Sequence, residues 1–380
     1  MTAHSLRIGF IPLIDAASTI IAADKGFAAA EGVDLELVRE VSWSNVRDKL
    51  NLGLFDAAHL LAPVAIASSL GLGHIKMPIV APFTLNLNGN AITLSPPLHD
   101  AIVAACDGDA RDPLTTARAL ARVVAARRKA GAEPLTFGMT FPYSTHNYQL
   151  RFWMAAGGVD PDDDVRLVVL PPPYMVESLA SGQVDGFCVG APWNAVASEQ
   201  GIGRILHLGP DILKRAVEKV LAVRQRWADD EPDRLAALIR AHRAAVLFIE
   251  DAGNHDEVAA ILARPDRVNA PAAIIKAVLA GRLTMAPGSD IRVSPDYMVL
   301  GRDGADRPDP SQAVWLYAQM VRWKQTTLSA DGLETARATF RPDLYDAAIG
   351  SSGMTPSAGI GAFCGPTLVD DDIAGYLAGF

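Results

Sequence analysis

The sequence predicts an α/β protein of two lobes, each a parallel-rich sheet flanked by helices, with a ligand cleft between them. Three observations predict it. The chain has 380 residues, half of them apolar and a fifth charged, which suits two globular domains better than one core. Strand-like runs alternate with helix-like runs from the start, the grammar of β-α-β units. The same grammar returns about 129 residues later in the chain.

Leu6–Ile11 reads as a strand, Pro12–Asp15 as a loop and 17–30 as a helix stopped by Gly32. Val33–Val38 is the next strand. Ser42-Trp43-Ser44 opens a helix with Trp43, Val46 and Leu50 on one face, ended by Gly53. Asp56–Leu61 is strand-like, and Pro63 sits in the first turn of a helix running to Leu70. Met77–Ser95 alternates apolar positions around a turn-rich centre and suits a strand crossing between lobes. Gly108–Lys129 reads as a capped helix with a solvated face. Pro171–Pro173 stiffens a loop before the helix Tyr174–Ala180, and Phe187–Trp193 ends a strand and opens a helix. Val217–Arg226 is a return strand. Helices follow over 232–263, 271–280, 312–324 with Ser311 as cap, and 331–339. The tail 358–380 is Gly-rich and adds no domain. These crossings assign 1–92 and 222–380 to lobe 1 and 93–221 to lobe 2.

The repeat is visible residue by residue. Leu6-Arg7-Ile8-Gly9 lines up with Leu135-Thr136-Phe137-Gly138. Ala29–Asp34 is echoed by Ala155–Asp160. Gly53, Asp56 and Pro63 have the spacing of Gly182, Asp185 and Pro192. The loops Pro12–Ala16 and Pro142–His146 are therefore equivalent, one on each lobe. Loops at the carboxyl ends of parallel strands are where such folds bind ligands.

In the second of these units Pro142 breaks a short strand, and Ser144 and Thr145 offer helix N-caps. His146 then stands at a helix N-terminus, beside N–H groups without partners inside the helix. That place suits a small anion. Taken alone, it suits still better a half-buried helix-start histidine with a local hydrogen bond.

Composition excludes several classes. A net charge of −9 argues against general nucleic-acid binding, which needs a basic field. Cys106, Cys188 and Cys364 are odd in number and scattered, so neither a disulfide framework nor a metal-type spacing is expected. No run is long enough to span a membrane. The start has no basic region, long apolar core and small-residue cleavage site, so a cytoplasmic location is expected. No nucleophile-elbow, zinc-protease or phosphate-loop motif occurs, and Asp162–Asp164 reads as a solvated turn. The chain reads as a binder with no cofactor, no metal and no enzyme activity.

The segments REVSWSNVRDKL, DAAHLLAPV, NLNGNAITLS, THNYQLRFWMAAGGVDPD, FCVGAPWNA and GADRPDPS resemble the nitrate-binding family of type II solute-binding proteins, relatives of nitrate and bicarbonate transport receptors. The resemblance covers nearly the whole chain. It implies a type II periplasmic-binding-protein-like clamp that closes on a small anion, with ligand contacts falling on Trp43, Asn90, His146, Gly190 and Lys219. The transport receptors have Gln where this chain has Asn90, a shorter amide. Each residue also has a structural reading: Trp43 as a core anchor, Asn90 as a turn residue, Gly190 as a packing glycine, Lys219 as a surface lysine. As a set they suit planar, monovalent nitrate. Lys219 supplies a positive charge, and His146, Asn90, Trp43 and a backbone N–H near Gly190 supply donors. Three or four hydrogen bonds to a charged group, at about 1.5–3 kcal/mol each and less the costs of ordering, reach roughly −8 kcal/mol, the micromolar range. With no obvious carboxylate to bring a Ca²⁺ into the site, nitrate is expected ahead of bicarbonate.

Within the family, a chain without a leader most resembles the cytoplasmic nitrate sensors of the NasS type. That implies a partner, a NasT-type ANTAR-domain antiterminator of nitrate assimilation genes, with no direct contact to nucleic acid or membrane. The other reading is a receptor of an ABC-type nitrate or bicarbonate transporter.

Overall fold

The computed structural model describes residues 5–289, 291–350, 359–369 and 372–380. Part of the expected tail, residues 358 and 370–371, lies outside them. Thirteen strands are described: β1 (Ser5–Phe10), β2 (Asp34–Arg39), β3 (Ala57–Leu61), β4 (Ile79–Asn88), β5 (Asn90–Leu94), β6 (Thr136–Met139), β7 (Arg166–Val169), β8 (Gly186–Gly190), β9 (Arg204–Leu208), β10 (Val217–Arg224), β11 (Arg282–Thr284), β12 (Ile291–Val293) and β13 (Met298–Val299).

They form two main sheets, ordered β13-β4-β10-β3-β1-β2 and β7-β6-β8-β5-β9. In the first, β1 lies parallel between β2 and β3. In the second, β6 lies parallel between β7 and β8. Each parallel triad is then joined by an antiparallel strand, β10 against β3 and β5 against β8. The internal echo in the sequence is thus a repeated βαβαβ unit. Its spaced Asp has a mechanical role in both copies. Asp56 accepts the Arg7 N–H at 2.9 Å, and Asp185 accepts the Thr136 N–H at 2.8 Å. Gly53 and Gly182 precede them at φ +77° and +71°, a backbone region that favours glycine.

The chain crosses between sheets at Gly89 and again over residues 209–216. Met77–Ser95 is therefore two strands, β4 and β5, not one. The break falls at Asn88 and Gly89, both with positive φ. Strand β10 lies wholly in the first sheet and β5 wholly in the second, so the expected boundaries at 221/222 and 92/93 would each cut a strand, and Asn90 belongs to lobe 2 and Glu218 and Lys219 to lobe 1. The two crossings are tied together by Asn88. Its Nδ2 donates to the Lys214 carbonyl at 2.7 Å and to the Asp296 carbonyl at 3.1 Å, and its Oδ1 accepts the Ala216 N–H at 3.0 Å.

The helices follow their signals with shifts at the ends. The expected helix 17–30 is two, Ala17–Asp24 and Phe27–Ala30, separated by Gly26 at φ +76°. The stretch 232–263 likewise breaks between Pro232–Glu250 and His255–Leu262. The helix Pro310–Arg322 is capped by Asp309, whose carboxylate accepts the Ser311 N–H, so Ser311 is not the cap. Pro113–Lys129 is solvated on one side only, since Thr116, Ala117, Leu120 and Val124 are buried. The hairpin β11–β12 carried no turn signal that sequence reading used. Among the described residues no helix is long and apolar enough to cross a membrane.

Candidate functional site

A buried polar cluster lies where the lobes meet. Lobe 1 supplies Asp15 from the turn Ile14–Ala16 after β1, His59 from the apolar strand β3, and Glu218 and Lys219 from β10. It also supplies Trp43, the first residue of a helix capped by Ser42, whose Oγ accepts the Asn45 N–H. Lobe 2 supplies Asn90 at the start of β5 and Gly190 at the end of β8, paired in register. His146 stands in the first turn of the helix Thr145–Ala156, whose cap Ser144 accepts the Asn147 N–H. All are at most 2 % exposed apart from Gly190, which is also buried. Lys219, read from sequence as a possible surface residue, is fully buried.

Lys219 and Glu218 are neighbours on one strand, which would send them to opposite faces. The β10–β4 register shifts on both sides of Lys219. Such bulges re-aim side chains, and here Lys219 Nζ lies 3.2 Å from Glu218 Oε1. Lys219 Nζ also lies 2.8 Å from Asp15 Oδ2 and 5.4 Å from the Trp43 ring centroid. Its charge is therefore not free for a ligand, as the sequence had suggested, but balanced by Asp15. His59 completes this framework. It accepts the Ile11 N–H on Nδ1 at 3.4 Å and faces Asp15 Oδ1 through Nε2 at 2.8 Å, an arrangement that places its one proton on Nε2.

The electrostatics follow from burial and pairing. Burial pushes the Asp15 carboxyl up, but Lys219 and His59 outweigh it and hold Asp15 well below the usual carboxylate range. Burial drives His59 down, against Asp15. It also drives His146 well down, helped by Lys219. Burial and the nearby Asp15 push Glu218 up to about 7, against the pull of Lys219. Lys219 is raised: burial would lower it, but Asp15 and Glu218 more than compensate.

The structure brings all five sequence-named residues into this cluster but changes what some of them do. Asn90 Nδ2 donates to Glu218 Oε2 at 2.7 Å, so part of the amide's donor capacity is taken by the protein. Trp43 stacks at a tilt against His59, with its Nε1 unpartnered. His146 Nε2 is also unpartnered. A Cβ at Gly190 would lie 3.7 Å from that nitrogen and 3.3 Å from Asp15 Oδ2, so the absent side chain leaves a gap in front of His146. Buried ring nitrogens without partners are rare in native proteins and call for an explanation, of which a bound group is one. No carboxylate was obvious for the site from the sequence, yet Asp15 and Glu218 are both there. Sequence reading missed them and His59. Asp15 sat in a loop that the repeat had singled out, and His59 was the lone polar residue in an apolar strand. Among the described residues no three His, Cys, Asp or Glu groups are arranged to hold a metal ion.

The lobes are closed on each other. Ile14 N–H donates to the Ala191 carbonyl at 2.9 Å, Trp193 Nε1 to the Pro12 carbonyl at 3.3 Å, and Thr145 Oγ1 to the Val217 carbonyl at 3.0 Å. Comparison with known proteins gives this closed clamp its relatives. Residues 2–263 match the NMT1-like family. The chain belongs to that family. Its relatives include the nitrate/nitrite binding protein NrtA of Synechococcus elongatus, 32% identical over 98% of this chain and 85% of that protein. The nitrate import ATP-binding protein NrtC of Synechocystis is 31% identical over 99% of this chain. The bicarbonate transport ATP-binding protein CmpC of Synechococcus elongatus is 32% identical over 92%. The chain spans only 55% and 50% of those two proteins, about half their length. The crystal structure of the periplasmic nitrate-binding protein NrtA from Synechocystis has a TM-score of 0.90 and 28% identity, covering 99% of this chain and 98% of that one. The α/β two-lobe periplasmic-binding-protein fold is thereby established for this chain.

Proposed function

We propose that this protein is a solute-binding clamp that closes on nitrate or nitrite and serves as the receptor of an ABC-type transporter. The observation that carries the reading is His146 Nε2, fully buried and unpartnered, facing the gap left by Gly190 in a cluster that also holds Trp43 with a free Nε1. Two buried ring nitrogens without partners in one cluster, one of them beside the space at Gly190, suit a small planar oxoanion as the missing partner. The names of the NrtA relatives support nitrate and nitrite, and those of NrtC and CmpC support a transporter setting with nitrate or bicarbonate as cargo.

Calorimetric titration of ligand-stripped protein with nitrate, nitrite, bicarbonate and chloride tests this, with His146→Ala beside it. Nitrate or nitrite binding that is lost in the variant is the expected outcome. Binding of bicarbonate alone would replace the cargo, and no binding of any anion would overturn the reading.

The cytoplasmic sensor acting on a NasT-type antiterminator is the other form of the same clamp. It rests on sequence resemblance, whereas the named relatives favour the transporter. A pull-down of the antiterminator that nitrate releases would reverse that order.

A further inference from the structure

The binding cluster contains one charged group too many for an anion. Asp15 and Lys219 cancel, and His59 is neutral by the hydrogen bonds it makes. With Glu218 ionised, the buried cluster carries a net negative charge before any ligand enters. A monovalent anion would then add a second charge in a site screened from water, at a cost of several kcal/mol.

The geometry of His146 points to the same conflict. Its Nδ1 lies 3.0 Å from Glu218 Oε1 and 3.1 Å from Thr140 Oγ1. Beside an ionised carboxylate at that distance, Nδ1 keeps its proton, because two bare acceptors would repel. A neutral imidazole with its proton on Nδ1 turns a lone pair at Nε2 toward the gap, where an anion needs a donor. One more proton resolves both problems. It sits either on Glu218, leaving Nδ1 free to accept and Nε2 to donate, or on the imidazole, which then donates from both nitrogens.

We infer that the clamp takes up its anion together with one proton, held by the Glu218–His146 pair, so that Glu218 positions the ligand-facing proton of His146. The step balances simply: free protein, anion and a solvent proton give the complex, with no bond made or broken beyond N–H or O–H. Glu218 touches no ligand in this scheme and acts through His146. The groups facing the pair are Lys219 on β10, Asp15 from the β1 turn with His59 of β3 bonded behind it, Asn90 on β5, Thr140 after β6, Thr145 beside His146, and Cys188 on β8. Burial and Glu218 push the Cys188 thiol well up, so it stays protonated in this range. Lys219 stays charged, leaving Glu218 and His146 as the groups that exchange a proton. Burial and Asp15 raise Glu218 to about 7, which sets the pH above which the proton must come from solvent.

The inference rests on anion binding as proposed above, and nitrate is the probe. Nitrate titrations from pH 6 to 9, each in two buffers of different ionisation enthalpy, should show Kd rising toward tenfold per pH unit above about pH 7, with proton uptake climbing from near zero at pH 6 toward one per nitrate at pH 9. Glu218→Gln removes the charge and puts an amide N–H in reach of Nδ1, so its Kd should be flat over the same range. Nitrogen-15 histidine NMR of the wild-type complex should show Nε2 of His146 protonated, a readout that holds even if the variant fails to fold. A flat wild-type Kd with no proton uptake, a bare Nε2 in the complex, or a Glu218→Gln Kd that keeps the wild-type slope would each overturn the inference while leaving anion binding intact. Absence of nitrate binding at every pH would instead overturn the proposed function.

Discussion

The two lobes are built alike and charged differently. Both carry a parallel triad, β2-β1-β3 or β7-β6-β8, clamped by an Asp that accepts an N–H from the facing strand. Yet every charged group of the cluster, Asp15, Glu218 and Lys219, belongs to lobe 1, while lobe 2 offers His146, Asn90 and Gly190. Repetition explains the frame but not the chemistry. One lobe holds a preassembled ionic framework, and the other closes neutral donors over it. Glu218 is the exception that joins them, rooted in β10 but bonded by Asn90 and facing His146.

The asymmetry predicts where damage concentrates. Lys219→Met leaves two buried carboxylates without their cation, so a loss of about 3–5 kcal/mol in chemical denaturation is expected. Asp15→Asn in the same chain should recover part of it. A loss below about 1 kcal/mol would mean that the framework is not what holds lobe 1 at the interface.

The shared frame predicts symmetry instead. Asp56→Ala and Asp185→Ala each remove a carboxylate from one backbone N–H, and each should cost about 1–2 kcal/mol, equal within error and without effect on nitrate affinity. Unequal losses would show that the repeat is only topological.

Stability should also follow pH through lobe 1. The folded chain holds a proton on Glu218 that the unfolded chain, with an ordinary carboxyl, has lost. Stability therefore falls as pH rises from about 4.5 to about 7, by up to about 1.4 kcal/mol per pH unit. Asp15, held low, has the opposite sign and withdraws its contribution as pH falls below about 4. Urea melts of wild type and Glu218→Gln between pH 2.5 and 8 separate the two, since the variant should lose only the upper slope.

The smallest effects lie at the outer edges. Arg7–Glu36 on lobe 1 and Arg166–Glu133 on lobe 2 are exposed pairs of like placement. Replacing either glutamate by Gln should change stability by less than about 1 kcal/mol. A larger loss on one side alone would extend the asymmetry from the cluster to the sheets.

The fold was legible because its signals are local. Strand-helix alternation, Gly stops and the repeated Gly, Asp and Pro positions each mark a βα junction wherever they occur. Ser42 and Ser144 announced the helices that present Trp43 and His146. The charges were not legible to the same degree, because they depend on strands far apart in the chain. Lys219 looked free until Asp15, some two hundred residues earlier, was placed 2.8 Å away. Glu218 was hidden by the alternation rule itself, which puts neighbours on opposite faces. Only the bulge in β10 brings both inward. The crossing at Gly89 was read as one strand because apolar alternation resumes on both sides of its turn-rich centre, which was not taken as a break.

The Asn88 side chain, which joins the two crossings, has a mechanical consequence. Two independent strands would let the lobes twist, slide and bend against each other. Stapled through the Lys214 carbonyl and the Ala216 N–H, they share a single pin, like paired leaves on one axle. The staple therefore favours opening of the cleft about one axis over sliding at the crossings. A pair of fluorophores across the lobes would follow that angle, and it is the coordinate that a membrane permease or a soluble regulator could read from outside.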